Sequence, residues 1–312
     1  MASEKLISFV MPAYKAKFLK QAIDSIMAQR YGNLELIIVD DASPENLSDI
    51  VGEYKDPRIR FYRNERNLGG QNLVKQWNHC IQYANGEYLV LAADDDLYDP
   101  QFLEVCVKLA TKYPEVDVVR SRVEQIDEMN NLIGIDGILP EYCSKYQFLK
   151  YWLDAAAFTC IGNFMFKSAV VKQKQFIDFP SAFGSDTASA IMMAENGIAN
   201  TQHMLFSFRL STIHLSSSKE KLMDKLEANT MLFKWLRGLN YPVPVNRYDL
   251  LAFSQTRWEH LYGKCKYDYY NLVIKYMPFG KIDLINKCEL LTSKDKFVMF
   301  LRFCFDKIFK SV

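Results

Sequence analysis

Short apolar runs alternate with amphipathic stretches through the first part of the chain. Leu6-Ile7-Ser8-Phe9-Val10-Met11 is nearly all apolar and is stopped by Pro12, which predicts a buried strand. Phe18, Leu19, Ala22, Ile23, Ile26 and Met27 then recur at helical spacing and predict a helix with one apolar face. Leu34-Glu35-Leu36-Ile37-Ile38-Val39 predicts a second strand, ending at Asp40-Asp41-Ala42-Ser43-Pro44. Ser43 suits an N-cap with Pro44 at the first helical position, opening a helix that runs to about Tyr54. Ile59 to Arg63 predicts a third strand, followed by a polar loop from Asn64 to Gly70. Leu73, Val74, Trp77, Cys80 and Ile81 line one side of the next helix, and Gly86 closes it. Tyr88 to Ala92 predicts a fourth strand that runs into Asp94-Asp95-Asp96. A helix from about Gln101 to Lys112 and a strand from Val116 to Arg120 follow.

This β-α-β-α order predicts an α/β fold: a mostly parallel sheet with helices on both faces. Ligands of such sheets bind outside the carboxyl ends of the strands. Asp40-Asp41 and Asp94-Asp95-Asp96 stand at two such ends and should face one crevice. From about Lys219 the chain is rich in Lys, Leu, Tyr and Phe with few strand signals, which predicts a helical C-terminal extension over 219–312.

The 312 residues suit one large domain, or one domain with an extension, and 49% hydrophobic residues allow a large core. A net charge of +1 lacks the basic excess of nucleic-acid binders, so no nucleic-acid partner is expected. The seven cysteines include no CxxC pair and their number is odd, which fits reduced thiols in a cytoplasmic protein better than a zinc site or disulfide framework. The Leu6 to Met11 run is too short for a signal peptide and has no cleavage site. No stretch approaches the roughly 18 apolar residues of a membrane span.

Three adjacent carboxylates repel one another, and keeping them ionised in a cleft requires a cation, hydrogen bonds or open water. Hard cations such as Mg²⁺ or Mn²⁺ use one or two carboxylates together with substrate phosphates, so the arrangement suits a metal-bound diphosphate. A solvated turn before Pro100 is the plainer alternative.

The residues around these clusters resemble family 2 glycosyltransferases with the GT-A fold. The resemblance rests on Pro12-Ala13-Tyr14, Gln29-Arg30-Tyr31, Asp40-Asp41-Ala42-Ser43, Asn67-Leu68-Gly69, Asn78 and Gly86-Glu87-Tyr88 before the acidic turn. Gly184-Ser185-Asp186, followed by Ala194-Glu195-Asn196-Gly197, is similar to the family's acidic acceptor-side motif. It covers roughly residues 5 to 218 and implies a catalytic domain over 1–218, with a nucleotide-binding half to about 115 and an acceptor half from 116.

The resemblance implies inverting transfer from a nucleotide-sugar, a UDP-sugar, to a glycan or lipid-linked acceptor in surface-polysaccharide assembly such as O-antigen or capsule. It implies Mn²⁺ or Mg²⁺ as cofactor. Asp41 would read the base, with Pro12, Ala13 and Tyr14 bordering base and ribose, and Asp40 building the same loop. Asn67 and Gly69 belong to the donor side; with Arg63 and Arg66 they either touch diphosphate or ribose or form a charged solvated loop. Asp94 would lie near ribose and sugar, and Asp95 would ligate the metal; Ala93 stands where the usual first acid of Asp-x-Asp would be. Asp96 would contact the sugar or cap the next helix. Asp186 would be the general base, or the N-cap of its helix, or both. Arg209 would bind phosphate oxygens, or form a surface pair, and His214 would be a second metal ligand or phosphate donor, or a packed histidine. Trp152 and Phe158 would stack on a sugar or join the core.

Rival readings are a nucleotidyltransferase, which would want a Gly-rich loop near the first strand, and a non-catalytic nucleotide-sugar binder, which Ala93 alone supports. No G-x-G-x-x-G follows a strand, which speaks against a dehydrogenase. The segment from Lys296 to Val312 is crowded with apolar residues and carries four basic residues and one acid. It suits an interfacial helix for peripheral contact with the inner face of a membrane, or a helix that closes the domain.

Overall fold

A computed structural model of the chain describes residues 4–211 and 219–309. The first half alternates strand and helix: β1 (Ile7–Ala13), α1 (Leu19–Met27), β2 (Leu34–Asp40), α2 (Leu47–Gly52), β3 (Ile59–Arg63), α3 (Leu73–Cys80) and β4 (Tyr88–Leu91). The short β5 (Leu97–Tyr98) and α4 (Phe102–Lys112) lead into a hairpin of β6 (Val118–Ile126) and β7 (Leu132–Ile135). Next come β8 (Tyr142–Cys143), α5 (Lys145–Leu153), β9 (Phe164–Lys167), α6 (Ser168–Lys174), α7 (Ser185–Met193) and the long β10 (Ile198–Arg209). Four further helices follow: α8 (Leu222–Arg237), α9 (Arg247–Gln255), α10 (Trp258–Tyr276) and α11 (Ser293–Phe309).

The sheet runs β3-β2-β1-β4-β9-β6-β10-β5. The first four strands are parallel, as their apolar runs predict, but β9 is antiparallel to both β4 and β6, so the sheet is mixed. β1 and β2 pair from Ile7↔Leu34 to Ala13↔Asp40, which puts Pro12-Ala13 beside Asp40. The register with β4 stops at Val10↔Leu91, so Pro12, which has no N–H to give, lies beyond that ladder.

Side chains of a strand alternate between faces, and here each face has its own core. Ile7, Phe9, Met11, Leu36 and Ile38 pack against α1 and α4 on one side. Val10, Ile37 and Val39 join the opposite core, which also takes in Leu226 and Phe233 of α8 and Tyr269 of α10. The C-terminal helices therefore share a core with the sheet. Their helical character agrees with the sequence.

The second helix departs from expectation. It opens at Leu47, with Asn46 ahead of it, rather than after Ser43. Ser43 Oγ instead donates to Tyr14 O at 2.6 Å and accepts from Glu45 N at 3.0 Å. The hydroxyl ties two strand ends together instead of capping. Among the described residues no helix is long and apolar enough to cross a membrane.

Gly86 sets how closely β4 can enter beside β1. A Cβ there would stand 2.7 Å from both Leu6 O and Ser8 N, which are backbone atoms that cannot give way locally. Gly86→Ala is expected to destabilise the protein by about 1–3 kcal/mol through overpacking. A urea titration checks this: the midpoint should fall with the slope unchanged, and an unmoved midpoint refutes it.

Candidate functional site

Ala92 N donates to Val10 O at 2.8 Å, and the chain then turns through the three aspartates. Asp94 Oδ2 accepts from Tyr14 N at 2.7 Å and Lys15 N at 2.8 Å, so it fastens the loop after β1 to the loop after β4. Burial and the neighbouring Asp95 charge push its carboxyl up to about 6, against the pull of those two N–H groups. Asp95 is buried, and burial raises its carboxyl while the charges of Lys15 and Arg209 pull it down. Asp96 is also buried and is raised furthest from the usual range, by burial and then by Asp95; its Oδ1 accepts from Arg209 N at 2.9 Å.

The second acidic pair closes a loop of its own. Asp40 Oδ1 accepts from Ser43 N at 2.8 Å and its Oδ2 pairs with Arg63, which also donates to Ser43 O at 2.9 Å. Asp41 Oδ1 accepts from Asn64 Nδ2 at 2.7 Å and Leu68 N at 2.9 Å, and Oδ2 from Gly69 N at 2.7 Å. A Cβ on Gly69 would stand 2.9 Å from that oxygen, so the approach needs glycine. Asn67 Oδ1 accepts from Gly70 N and shapes the same turn. Tyr14, Asp41, Asn67 and Gly69 thus come together around the ends of β1 and β2.

Asp186 stands in the first turn of α7, where Asp is favoured by the free N–H groups. Its Oδ1 accepts from Thr187 N at 2.7 Å, and burial pushes its carboxyl up to about 6. No side-chain hydrogen bond caps α7 from outside; Gly184 at φ +76° takes the N-cap place. Thr187 Oγ1 lies 2.7 Å from Thr159 Oγ1. Beside them the Cys160 thiol is raised by burial and by the charges of both Asp96 and Asp186, which puts the two acids within Coulombic reach of one side chain. The loop carrying Thr159 and Cys160 is locked from behind. Arg120 and Asp136, both fully buried, form an ion pair, and Arg120 Nη2 donates to Phe158 O at 3.0 Å.

The side chain of Arg209 is fully buried. Nε donates to Asp95 O at 2.7 Å, Nη1 to Asn130 Oδ1 at 2.6 Å and Asp127 O at 3.2 Å, and Nη2 to Gln21 Oε1 at 3.0 Å. The guanidinium also covers the Phe18 ring at 4.3 Å. It is not a surface pair: its donors hold the acidic turn, α1 and the β6–β7 hairpin together. Trp152 belongs to the core, packed near Phe233, and Phe158 packs against Phe208. His214 lies outside the described residues.

Sequence reasoning missed Lys15, whose charge acts on Asp94 and Asp95, and Gln21. It quoted Gln29 without a task. Gln29 Nε2 donates to Asp99 O at 2.7 Å and Oε1 accepts from Leu103 N at 2.9 Å, fixing the start of α4. No local signal marks these residues, because their partners are 70 or more positions away in the chain.

For a divalent cation the fit is partial. Among the described residues no cluster of three or more His, Cys, Asp or Glu forms a cage. Asp95 supplies one buried carboxylate. A single carboxylate plus substrate phosphates is the habit of Mg²⁺ and of similar hard ions.

A family model described as glycosyl transferase family 2 matches residues 8–173. An uncharacterized glycosyltransferase of Methanocaldococcus jannaschii is 33% identical over 178 residues, covering 55% of this chain and 59% of that protein. A protein of Escherichia coli named as a colanic acid biosynthesis glycosyl transferase, WcaA, is 39% identical over 108 residues, 34% of this chain and 38% of its own. The chain thus spans less than two thirds of either relative. Among solved structures, S. aureus TarS in complex with UDP-GlcNAc superposes with a TM-score of 0.63 at 15% identity, over 97% of this chain and 88% of that one. A mannosyltransferase from Pyrobaculum calidifontis in complex with GDP-Man and Mn²⁺ has a TM-score of 0.56 at 16% identity, over 100% of this chain and 89% of that one. These two likenesses establish the GT-A fold.

Removing the buried cation should expose the repulsion it offsets. Arg209→Met is expected to cost about 3–5 kcal/mol at neutral pH, the penalty for leaving buried acids unpaired. The sign follows from the carboxylates: without Arg209 their folded-state values rise further above the unfolded ones. The deficit should be full above the raised folded-state values of Asp95 and Asp96 and shrink as the pH falls through them. Urea midpoints measured from pH 4 to 8 check it, and a pH-independent deficit refutes the electrostatic account.

Proposed function

The chain belongs to glycosyl transferase family 2, and on that premise we propose that it moves a sugar from a UDP-sugar to a glycan or lipid-linked acceptor with inversion, in the assembly of a surface polysaccharide. The observation that carries the proposal is the meeting of the Asp94–Asp96 turn and the Asp41 loop at the end of β1, with the charges of both Asp96 and Asp186 acting on the Cys160 thiol. TarS in complex with UDP-GlcNAc supports a UDP-sugar donor. WcaA, named for colanic acid, supports a polysaccharide product such as O-antigen or capsule.

In this reading the base of the donor lies against Tyr14 and Asp41. Asp41 Oδ2 accepts one bond from the chain, from Gly69, and an oxygen with two lone pairs retains capacity for a base N–H. Asp94 lies by the ribose and sugar. Asp95 would hold a Mn²⁺ or Mg²⁺ with the donor's diphosphate, and the ion would supply positive charge as the diphosphate leaves. Asp186 takes the proton from the acceptor hydroxyl. The new bond forms from that oxygen to the anomeric carbon as the bond from this carbon to the diphosphate oxygen breaks, and attack from the opposite face inverts the carbon.

The carboxyl of Asp186, pushed up to about 6, is ionised at pH 7 and loses its basic form below pH 6. At saturating donor, UDP release driven by acceptor should therefore fall about tenfold per pH unit below 6. Asp186→Asn should slow transfer about 10²–10⁴-fold at unchanged donor affinity. UDP-release assays with and without acceptor, beside calorimetry, measure both. Near-normal turnover of the variant at saturating acceptor leaves Asp186 only its place in the α7 turn. UDP release absent with every acceptor, despite tight UDP-sugar binding, points to a binding protein instead.

Asp95→Asn should abolish the part of UDP affinity that depends on added Mn²⁺. Calorimetric titration of UDP with and without the ion checks this, and an undiminished metal-dependent affinity removes Asp95 from the site.

A further inference from the structure

The last helix, α11, has two apolar faces rather than one. Met299 and Phe303 are buried, and the Phe303 ring meets Phe279 edge-on at 5.3 Å. Phe297, Leu301, Phe305 and Ile308 lie on the opposite side, each between 50% and 62% exposed, and Val298 and Phe300 flank them. At about 100° per residue, these side chains form one continuous stripe along the outside of the helix. This double pattern is why the apolar positions of the segment run together in the sequence.

The charges sort just as cleanly. α11 carries two acids, and both are turned to the protein. Asp295 pairs with Lys266 at 3.1 Å and accepts from Tyr262, and Asp306 accepts from Tyr270 at 2.8 Å. Lys294 stands on the outer stripe at its start and Arg302 follows one edge, whereas Lys296 and Lys307 lie nearer the buried face, Lys296 donating to Asn286 O at 3.1 Å and Lys307 lying over the Phe303 ring. An exposed apolar stripe beside which the charges, Lys294 and Arg302, are basic is the make-up of a helix that lies in a lipid interface.

We propose that the outer face of α11 docks on an anionic lipid surface, with the apolar stripe in the acyl boundary and Lys294 and Arg302 on the headgroups. A second copy of the chain fits less well. A two-fold contact along this stripe would bring its like charges, Lys294 and Arg302, together with no acid to meet them, which opposes association. The proposal concerns a surface remote in sequence from the site residues and stands whether or not the transfer reaction is as described above.

The test uses the full chain and vesicles made either of equal parts phosphatidylglycerol and phosphatidylcholine or of phosphatidylcholine alone. Co-sedimentation should be roughly tenfold stronger with the anionic vesicles and should weaken with salt. Phe297→Ser/Leu301→Ser/Phe305→Ser should reduce it at least about tenfold, with an unchanged thermal melt because the replaced side chains are exposed. Lys294→Glu/Arg302→Glu, which leaves the stripe intact, should remove the preference for anionic lipid. Equal sedimentation of the wild-type chain with both vesicles, or of the wild-type chain and both variants, overturns the proposal. So does a concentration-dependent dimer in sedimentation velocity that the triple substitution dissolves without lipid, since the face then belongs to a second copy.

Discussion

A buried guanidinium holds the site together. Three consecutive aspartates at the end of β4 would repel one another in a dry crevice, and burial raises all three. Arg209, at the end of β10, brings its charge to Asp95 and Asp96 and its backbone N–H to Asp96. It also reaches Gln21 of α1 and Asn130 at the hairpin tip. One side chain thereby fixes the relative positions of three elements, and its burial is offset because every nitrogen finds an acceptor.

The same logic operates on the acceptor side with different parts. Asp186 is held by the first turn of α7, and that turn is held by α8. Gly184 leaves only enough room for Leu232, which a Cβ would meet at 3.1 Å, and Ser181 Oγ donates to Asp224. The C-terminal helices consequently back the residue proposed as base, and a change in α8 reaches the site through packing alone. Burial that raises Asp186 to about 6 also keeps it basic at neutral pH, a compromise suited to a proton acceptor.

Much of the frame was legible because it repeats locally. The apolar runs of β1, β2 and β4, the helical spacing of α1 and α3, and the acids placed at strand ends all declare themselves within a few residues. The reading failed where a short polar residue had a choice of partners. Ser43 suits an N-cap by type, but Tyr14 O stood closer in the folded chain. Arg209 suits a surface pair by charge, but its side chain is buried and bonded to Asp95 O, Asn130 and Gln21. The continuous apolar texture of α11 resolved into two faces only once the partner helix was in place.

The sequence by itself determined the alternation of strands and helices, the parallel pairing that follows from continuous apolar strands, and the presence of two acidic strand ends in one crevice. These depend on periodicity and residue type, which are properties of neighbours along the chain. Tertiary structure alone decided that β9 enters the sheet antiparallel, that Gln29 fixes α4, and that Arg209 is a strut. Each of those joins residues far apart in the chain, and a hydrogen bond or charge between distant residues leaves no period to read. It exists only once the sheet has set its ends side by side.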